Sequence, residues 1–243
     1  MDDRYRQSCL SVMGITRYVL RAQLSANNRG QLSKADPESA QEQAPRHDPV
    51  TAAVPNPEPA VDGWEQLRSR VTGCTGCELH VARTQTVFGS GDINADLMVI
   101  GEAPGAEEDK QGEPFVGAAG QLLNAMLQAV GLGREQVYIA NIVKCRPPGN
   151  RNPGKAEAAA CRQYLDRQIE LIQPRVILSV GAVSAHNLLL SDESVGRLRQ
   201  RPHSYGKHNI PLLVTYHPAY LLRSPAEKAK VWQDLQRLAK LLR

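Results

Sequence analysis

Four of the five cysteines have the spacing of a metal-binding set. Cys74 and Cys77 form a Cys-x-x-Cys pair, Cys145 follows a predicted strand, and Cys161 lies 16 positions further along the chain. Four thiolates distributed in this way can bind one metal ion or one cluster. A redox pair would not need the two later cysteines, and spacing alone leaves zinc and a [4Fe–4S] cluster both open. Cys9 lies far from this set, and we expect it to be a free thiol.

A second group of candidate residues lies in a loop rich in glycine and proline, residues 101–117. Its glycines and prolines let the backbone approach a ligand closely. Phe115 is one of two phenylalanines in the chain and stands between turn residues rather than in a periodic apolar run. An aromatic ring in such a place is either a core residue beneath the loop or a platform on which a planar ligand stacks.

The segment NIVKCRPPGNRNP, residues 141–153, combines an amide with several cations. The side chain of Asn141 can donate and accept hydrogen bonds at once, which suits the edge of a nucleobase. It could instead satisfy the backbone of a turn. Lys144, Arg146 and Arg151 suit phosphate groups or belong to an ordinary solvated loop.

A third loop, YHPAYLLR at residues 216–223, places His217 directly before a proline. A single histidine is more often structural than catalytic, but this one follows a predicted strand. Leu221 and Leu222 stand in an otherwise polar, basic loop. They either pack beneath the last helix or act as an apolar wedge in a stack of bases.

A regular scaffold must position these loops, and the hydrophobic pattern predicts one of alternating strands and helices. Strands are expected at residues 97–100, 137–143, 176–180 and 212–215, and helices at 64–71, 120–130, 155–172, 182–190 and 225–242. We predict an α/β fold, a three-layer α/β/α sandwich with a central four-stranded parallel sheet. Ligands of such sheets bind beyond the carboxyl ends of the strands, where all three loops lie.

Composition divides the 243 residues into two parts. Residues 31–63 hold six of the 16 prolines, which indicates a Pro-rich disordered linker. Residues 1–63 carry seven basic and eight acidic groups, whereas residues 64–243 carry 22 and 17. The part that holds the candidate residues is therefore the basic part, and we expect it to be one catalytic domain.

Targeting signals are not evident in the sequence. No apolar run approaches the ~18 residues of a membrane span, and the acidic pair Asp2 and Asp3 argues against a secretory or organelle signal. We therefore expect a cytoplasmic protein with no membrane association. Separately, we expect the protein to be a monomer.

An apolar pattern within residues 1–30 could form a partner-docking peptide. Residues 13–18, MGITRY, resemble the N-terminal peptide of the psi subunit of bacterial DNA polymerase III, which binds the clamp loader. The resemblance implies recruitment to replication machinery. The alternative is a tail without a partner.

The longer motifs identify a family. GEAPGAEED, EPFVGAAGQLL, NIVKCRPPGNRNP and HPAYLLR, together with the four cysteines, closely resemble the family 4 uracil-DNA glycosylases, the iron–sulfur type. The resemblance covers residues 64–243 in order. It implies excision of uracil from DNA by hydrolysis of the N-glycosidic bond, which leaves an abasic site for base excision repair.

The resemblance also implies roles for single residues. A [4Fe–4S] cluster of mainly structural purpose would be bound by Cys74, Cys77, Cys145 and Cys161. The catalytic residues would be His217 and Glu102, and the substrate-binding residues Phe115, Asn141, Ala103 and Glu108. The predicted DNA contacts are Lys144, Arg146, Asn150, Arg151, Leu221, Leu222 and Arg223.

In this interpretation Phe115 stacks on uracil, Asn141 pairs with uracil O4 and N3–H, and His217 donates to O2 of the departing base. Ala103 stands where the best-known uracil glycosylases have an aspartate that orients water, so we expect leaving-group stabilisation to carry more of the rate. The same alanine is the best support for an alternative function, a cluster-bearing DNA-damage or nucleotide-binding module without turnover.

Overall fold

The computed structural model describes residues 61–243 and, before them, only Gln7, Ser11 and Gly14. The rest of the predicted docking peptide, Cys9 included, and almost all of the predicted linker lie outside the described residues. Both therefore remain predictions. Every helix among the described residues is too short or too polar to span a membrane.

A six-stranded mixed sheet lies at the centre of the fold. Its strands are β1 (Ser90–Gly91), β2 (Leu97–Gly101), β3 (Tyr138–Asn141), β4 (Val176–Val180), β5 (His203–Tyr205) and β6 (Ile210–Thr215). The spatial order is β1-β3-β2-β4-β6-β5. The four inner strands are parallel, as predicted, and β1 and β5 pair antiparallel at the two edges. The prediction misses both edge strands because segments of two or three residues are too short to give a periodic signal.

Helices cover both faces of this sheet. They are α1 (Val61–Thr72), α2 (Leu79–Ala82), α3 (Ala106–Gln111), α4 (Ala118–Ala129), α5 (Lys155–Ile172), α6 (Ala182–Leu189), α7 (Val195–Leu198), α8 (Pro218–Arg223) and α9 (Lys228–Leu241). The long helices agree with the sequence pattern to within about three residues at each end. Four short helices, α2, α3, α7 and α8, occupy segments in which the sequence pattern predicts no helix.

Two apolar cores lie on opposite faces of the sheet because side chains alternate along each strand. Met98 and Ile100 of β2 join the core that contains residues of α1, α5 and α6. Leu97 and Val99 join the other core, with residues of α4 and α9. The three-layer arrangement is therefore confirmed.

The parallel register brings the carboxyl ends of the inner strands together. Gly101 at the end of β2 is the partner of Asn141 at the end of β3. Val180 at the end of β4 is the partner of Thr215 at the end of β6. The loops that carry the predicted chemistry consequently leave the sheet at the same edge.

Candidate active site and cysteine centre

Asn141 and Phe115 converge on Gly101. Asn141 is 2% exposed and Phe115 is 6% exposed. A Cβ atom at Gly101 would collide with the Oδ1 atom of Asn141 and would lie 2.5 Å from Cζ of Phe115. Glycine at this position therefore leaves room for the amide and the ring to lie side by side.

The Oδ1 atom of Asn141 is buried and accepts no hydrogen bond. Leaving a buried acceptor unpaired costs about 1–3 kcal/mol. A ligand that brings an N–H group to this atom would remove the cost. The site is therefore prepared for a hydrogen-bond donor before any ligand arrives.

Glu108 supports the Phe115 loop from one side. Its Oε1 accepts hydrogen bonds from the backbone N–H groups of Val116 (3.0 Å) and Gly117 (3.1 Å). Its Oε2 accepts one from Gly105 (3.1 Å), at the start of α3. Both carboxylate oxygens are thus engaged with the backbone, so Glu108 holds the loop rather than projecting a free carboxylate toward a substrate.

Arg134 supports the same loop from the other side. Its guanidinium donates to the carbonyl of Phe115 (3.2 Å) and to the carbonyl of Pro114, and also to Asn124 and Ser90 at 3.3 Å each. Phe115 has φ of 54°, in the left-handed region, which is strained for an aromatic residue. Sequence reasoning did not single out Arg134, since it lies 19 positions beyond Phe115 and in no recognised motif.

His217 follows β6 and caps α8. Its Nδ1 accepts a hydrogen bond from the backbone N–H of Ala219 at 3.1 Å. Burial and the nearby Arg223 cation lower the pKa of His217 to about 4, although Glu108 acts in the opposite direction. The imidazole is therefore neutral at pH 7, and because Nδ1 accepts, its proton lies on Nε2.

The His217 ring stacks with the ring of Phe115, with centroids 5.7 Å apart and planes 30° apart. Gly181, which follows β4, makes the room for the imidazole: it has φ of 95°, and a Cβ there would lie 2.9 Å from Cβ of His217. The structure thus brings together Asn141 at the end of β3, His217 after β6, and Phe115 from the loop between α3 and α4, on the same side of the sheet.

Glu102 and Ala103 follow β2 directly. Burial raises the pKa of Glu102, and its backbone carbonyl accepts from the N–H of Val143 at 3.3 Å. Ala103 packs partly buried against the apolar core. Its side chain has no polar atom, so Ala103 cannot orient a water molecule by a side-chain hydrogen bond.

Two of the predicted DNA contacts are wrong because their side chains are buried. Lys144 is 1% exposed, and its Nζ donates to the carbonyl of Asn141 (3.1 Å) and to Oε1 of Gln168 (2.7 Å). Burial lowers its pKa to about 8. Leu221 is fully buried on the inner side of α8, whereas Leu222 is 47% exposed, since successive helical residues point about 100° apart.

The remaining predicted DNA contacts lie on the surface. Arg146 donates to Oδ1 of Asn150 at 2.7 Å. Arg151 forms a double hydrogen-bonded ion pair with Glu157, which lowers the pKa of Glu157 to about 2. Arg223 is exposed at the end of α8. Of these three arginines, Arg151 already has an anionic partner.

The four predicted ligand cysteines line one small cavity. Cys145 and Cys161 are buried, and Cys74 and Cys77 are partly buried. Three of the sulfurs accept N–H groups: Cys145 from Arg83 (3.1 Å), Cys161 from the backbone of Lys144 (3.3 Å) and Cys74 from the backbone of Gly76 (3.4 Å). Such donors stabilise thiolate ligands and tune a bound centre.

This donor set fits an iron–sulfur centre, because four thiols surround one space and three already have N–H partners. Among the described residues, no three His, Cys, Asp or Glu side chains gather closely enough to hold a single metal ion.

Comparison with known proteins identifies the family. The sequence model of the uracil DNA glycosylase superfamily matches residues 88–236. A type-4 uracil-DNA glycosylase of Thermotoga maritima is 43% identical over 178 residues, which cover 71% of this chain and 91% of the relative. One from Pyrobaculum aerophilum is 42% identical over 180 residues, or 70% and 90% of the two chains. A type-5 enzyme of the same organism is 29% identical over 191 residues, or 65% and 84%.

The chain thus belongs to the uracil-DNA glycosylase superfamily, the class that its strand-end site and α/β/α layers define. Its greater identity to the type-4 enzymes than to the type-5 relative places it in the type-4 family. It is therefore an enzyme of this family, and the alternative of a module without turnover is not favoured.

Proposed function

We propose that this protein excises uracil from DNA by hydrolysing the N-glycosidic bond of deoxyuridine. The observation that carries the proposal is the convergence of Phe115, the unpaired amide oxygen of Asn141 and the neutral His217 at one edge of the sheet. Each of these three residues meets a different requirement of the reaction. Together they account for binding, recognition and departure of the base.

Recognition of the base rests on Asn141. Its Oδ1 would accept from uracil N3–H, and its amide nitrogen would donate to O4. Cytosine presents the reverse pattern, with an unprotonated N3 and an exocyclic amine, and would leave the buried oxygen without a donor. A well-placed pair of this kind contributes about 1–3 kcal/mol of discrimination.

The base must leave the helix before it can reach this site. Extrusion costs a few kcal/mol, and stacking of uracil on Phe115 offsets about 1–3 kcal/mol of that cost. The exposed Leu222 on α8 is the side chain that we assign to the space vacated in the stack. Arg146 and Arg223 would position the phosphate backbone nearby.

Cleavage transfers the electron pair of the C1′–N1 bond to the base. The sugar becomes oxocarbenium-like and uracil leaves as an anion. His217, with its proton on Nε2, would donate a hydrogen bond to uracil O2 and stabilise that charge. Removal of one such donor costs about 2.7–4 kcal/mol in other enzymes.

Water then adds to C1′, its proton is released, and the abasic sugar forms. We assign orientation of this water to Glu102, since Ala103 has no polar side-chain atom. The raised pKa of Glu102 favours a carboxyl that can receive a proton. Stabilisation of the leaving base nevertheless carries the larger share of the rate in this proposal.

We propose that Cys74, Cys77, Cys145 and Cys161 hold a [4Fe–4S] cluster. The single cavity and the three N–H···S contacts support this assignment. When bound, the cluster would join the loop after α1 to the segment after β3 and to α5, a structural purpose. Iron and sulfide analysis of brown, freshly purified protein tests it; a colourless protein with one zinc ion per chain would favour zinc.

Activity is tested with an oligonucleotide that contains one deoxyuridine. We expect free uracil and an alkali-labile site at that position. Matched oligonucleotides with cytosine or thymine at the same position serve as controls and should stay intact. Tight binding of the uracil strand without release of the base would support the module without turnover.

Association of residues 1–30 with clamp-loader components stays a prediction from sequence, as does the monomeric state. A pull-down with the full chain and with a chain that begins at residue 31 tests the first. Equal recovery of the components with both chains would contradict it.

A further inference from the structure

Lys144 lies between the cysteine cavity and the residue that reads the base. Lys144 is one of the residues that line that cavity, and its backbone N–H donates to Sγ of Cys161 at 3.3 Å. Its ammonium donates to the backbone carbonyl of Asn141 at 3.1 Å. One residue therefore contacts both centres.

The ammonium of Lys144 is buried without an anionic side chain beside it. Among the described residues, no Asp or Glu forms an ion pair with it. Its two partners are neutral oxygens, those of Asn141 and Gln168. A buried cation without a counter-charge costs several kcal/mol, so a negative charge close by would stabilise it.

Four cysteine thiolates around the adjacent cavity would provide that negative charge. The net charge of an iron–sulfur centre and its surroundings sets the reduction potential. The ammonium of Lys144 acts electrostatically on the Cys161 thiol. A fixed cation within electrostatic reach of the cavity would thus stabilise the anionic centre and raise its potential. In this arrangement the ammonium of Lys144 and the cysteine thiolates would stabilise each other, because their charges are opposite.

Gln168 fixes the direction of the ammonium. Its Oε1 accepts from Lys144 at 2.7 Å, while its Nε2 donates to the carbonyl of Phe88 (2.9 Å) and to the hydroxyl of Tyr138 (3.1 Å). Gln168 is fully buried. Since its amide is engaged at both ends, it cannot turn away, and Lys144 is directed at Asn141.

We propose that Lys144 is a positioning residue that couples the cysteine centre to the uracil site, by compensating the charge of the centre and by holding the backbone of Asn141. The inference rests on the proposed cluster and the proposed uracil excision. It predicts that a change at Lys144 affects the cluster and the excision step together, although the side chain does not reach DNA.

The test compares native holoenzyme with Lys144→Met, and uses Lys240→Met as the control, since Lys240 is an exposed lysine near the end of α9. The readouts are the midpoint potential and visible spectrum of the cluster, the single-turnover rate of uracil excision, and the dissociation constant for uracil DNA. We expect Lys144→Met to lower the potential and to slow excision about tenfold or more, as displaced catalytic groups do. DNA affinity should change less than about twofold, and Lys240→Met should match the native protein.

The inference is overturned if Lys144→Met carries a cluster of native potential and excises uracil at the native rate. If Lys144→Met does not fold, Gln168→Met replaces it, because that variant keeps the cation but removes its side-chain acceptor. Slower excision with an altered cluster spectrum is then expected, and native values for both would overturn the inference. A native protein without iron, or without excision, would instead contradict the proposed function itself.

Discussion

The imidazole of His217 stacks on the ring of Phe115 at a centroid separation of 5.7 Å, although 102 positions separate the two residues in the chain. The contact exists because β2 and β6 are both parallel to β4 and end at the same edge of the sheet. It joins the proposed stacking platform to the proposed hydrogen-bond donor. A displacement of either ring would therefore affect the other.

Replacement of Asn141 by Ala removes both hydrogen bonds proposed for uracil. The single-turnover rate of uracil excision should fall roughly 10- to 100-fold, the effect of losing one bidentate contact to a base. DNA affinity should change little, because phosphate contacts supply most of it. Rapid-quench assays on one oligonucleotide give the rate, and a native rate in Asn141→Ala would contradict the recognition scheme.

Replacement of Arg134 by Met removes the donors to the carbonyls of Pro114 and Phe115. The strained backbone of Phe115 then loses its support on one side, so excision should slow about tenfold and the free energy of unfolding should fall by about 1–3 kcal/mol. Arg134→Lys should recover part of the rate. Arg175→Met, at an exposed ion pair with Asp96, is the control and should behave as native.

The two leucines of α8 should respond in different ways. Leu222→Ala should slow excision from duplex DNA more than from single-stranded DNA, because only a paired stack leaves a space to fill. Leu221→Ala should instead lower the free energy of unfolding by about 2–5 kcal/mol, as removal of a buried leucine does. Equal losses on both substrates in Leu222→Ala would rule out the wedge.

The low pKa of His217 predicts how stability depends on pH. Folding lowers the pKa from 6.5 to about 4, so the unfolded chain binds the proton more readily between these values. Stability should consequently be lost as the pH falls from about 6.5 to 4, by on the order of 2–3 kcal/mol. Denaturant titrations of native protein and His217→Gln at pH 7 and 5 measure this, and the loss should be smaller in the variant.

The sequence pattern predicts the parallel sheet because its strands are continuous apolar runs, such as residues 97–100 and 176–180. It also predicts the meeting of Asn141, Phe115 and His217, since each belongs to a segment that leaves the carboxyl end of an inner strand. It does not predict the burial of Lys144, because a lysine two positions before Arg146 gives the same local pattern as a solvated loop. Only tertiary packing, through Gln168 on α5, encloses that ammonium.

Local helix formation explains why the sequence pattern does not distinguish Leu221 from Leu222. In a loop, Leu221 and Leu222 would be equivalent candidates for the wedge. Because Pro218 starts α8 with His217 as its cap, the two leucines point in different directions and only Leu222 faces solvent. The short helix gives too few residues for a periodic signal.

The most direct test of the account is the single-turnover rate of uracil excision by His217→Ala, measured beside the affinity of the same variant for uracil DNA. We predict a rate about 100- to 1000-fold below native, the cost of one donor to the developing anion, with affinity within about threefold of native and the cluster intact. Excision at the native rate by folded His217→Ala would contradict the central claim that this histidine stabilises the departing base.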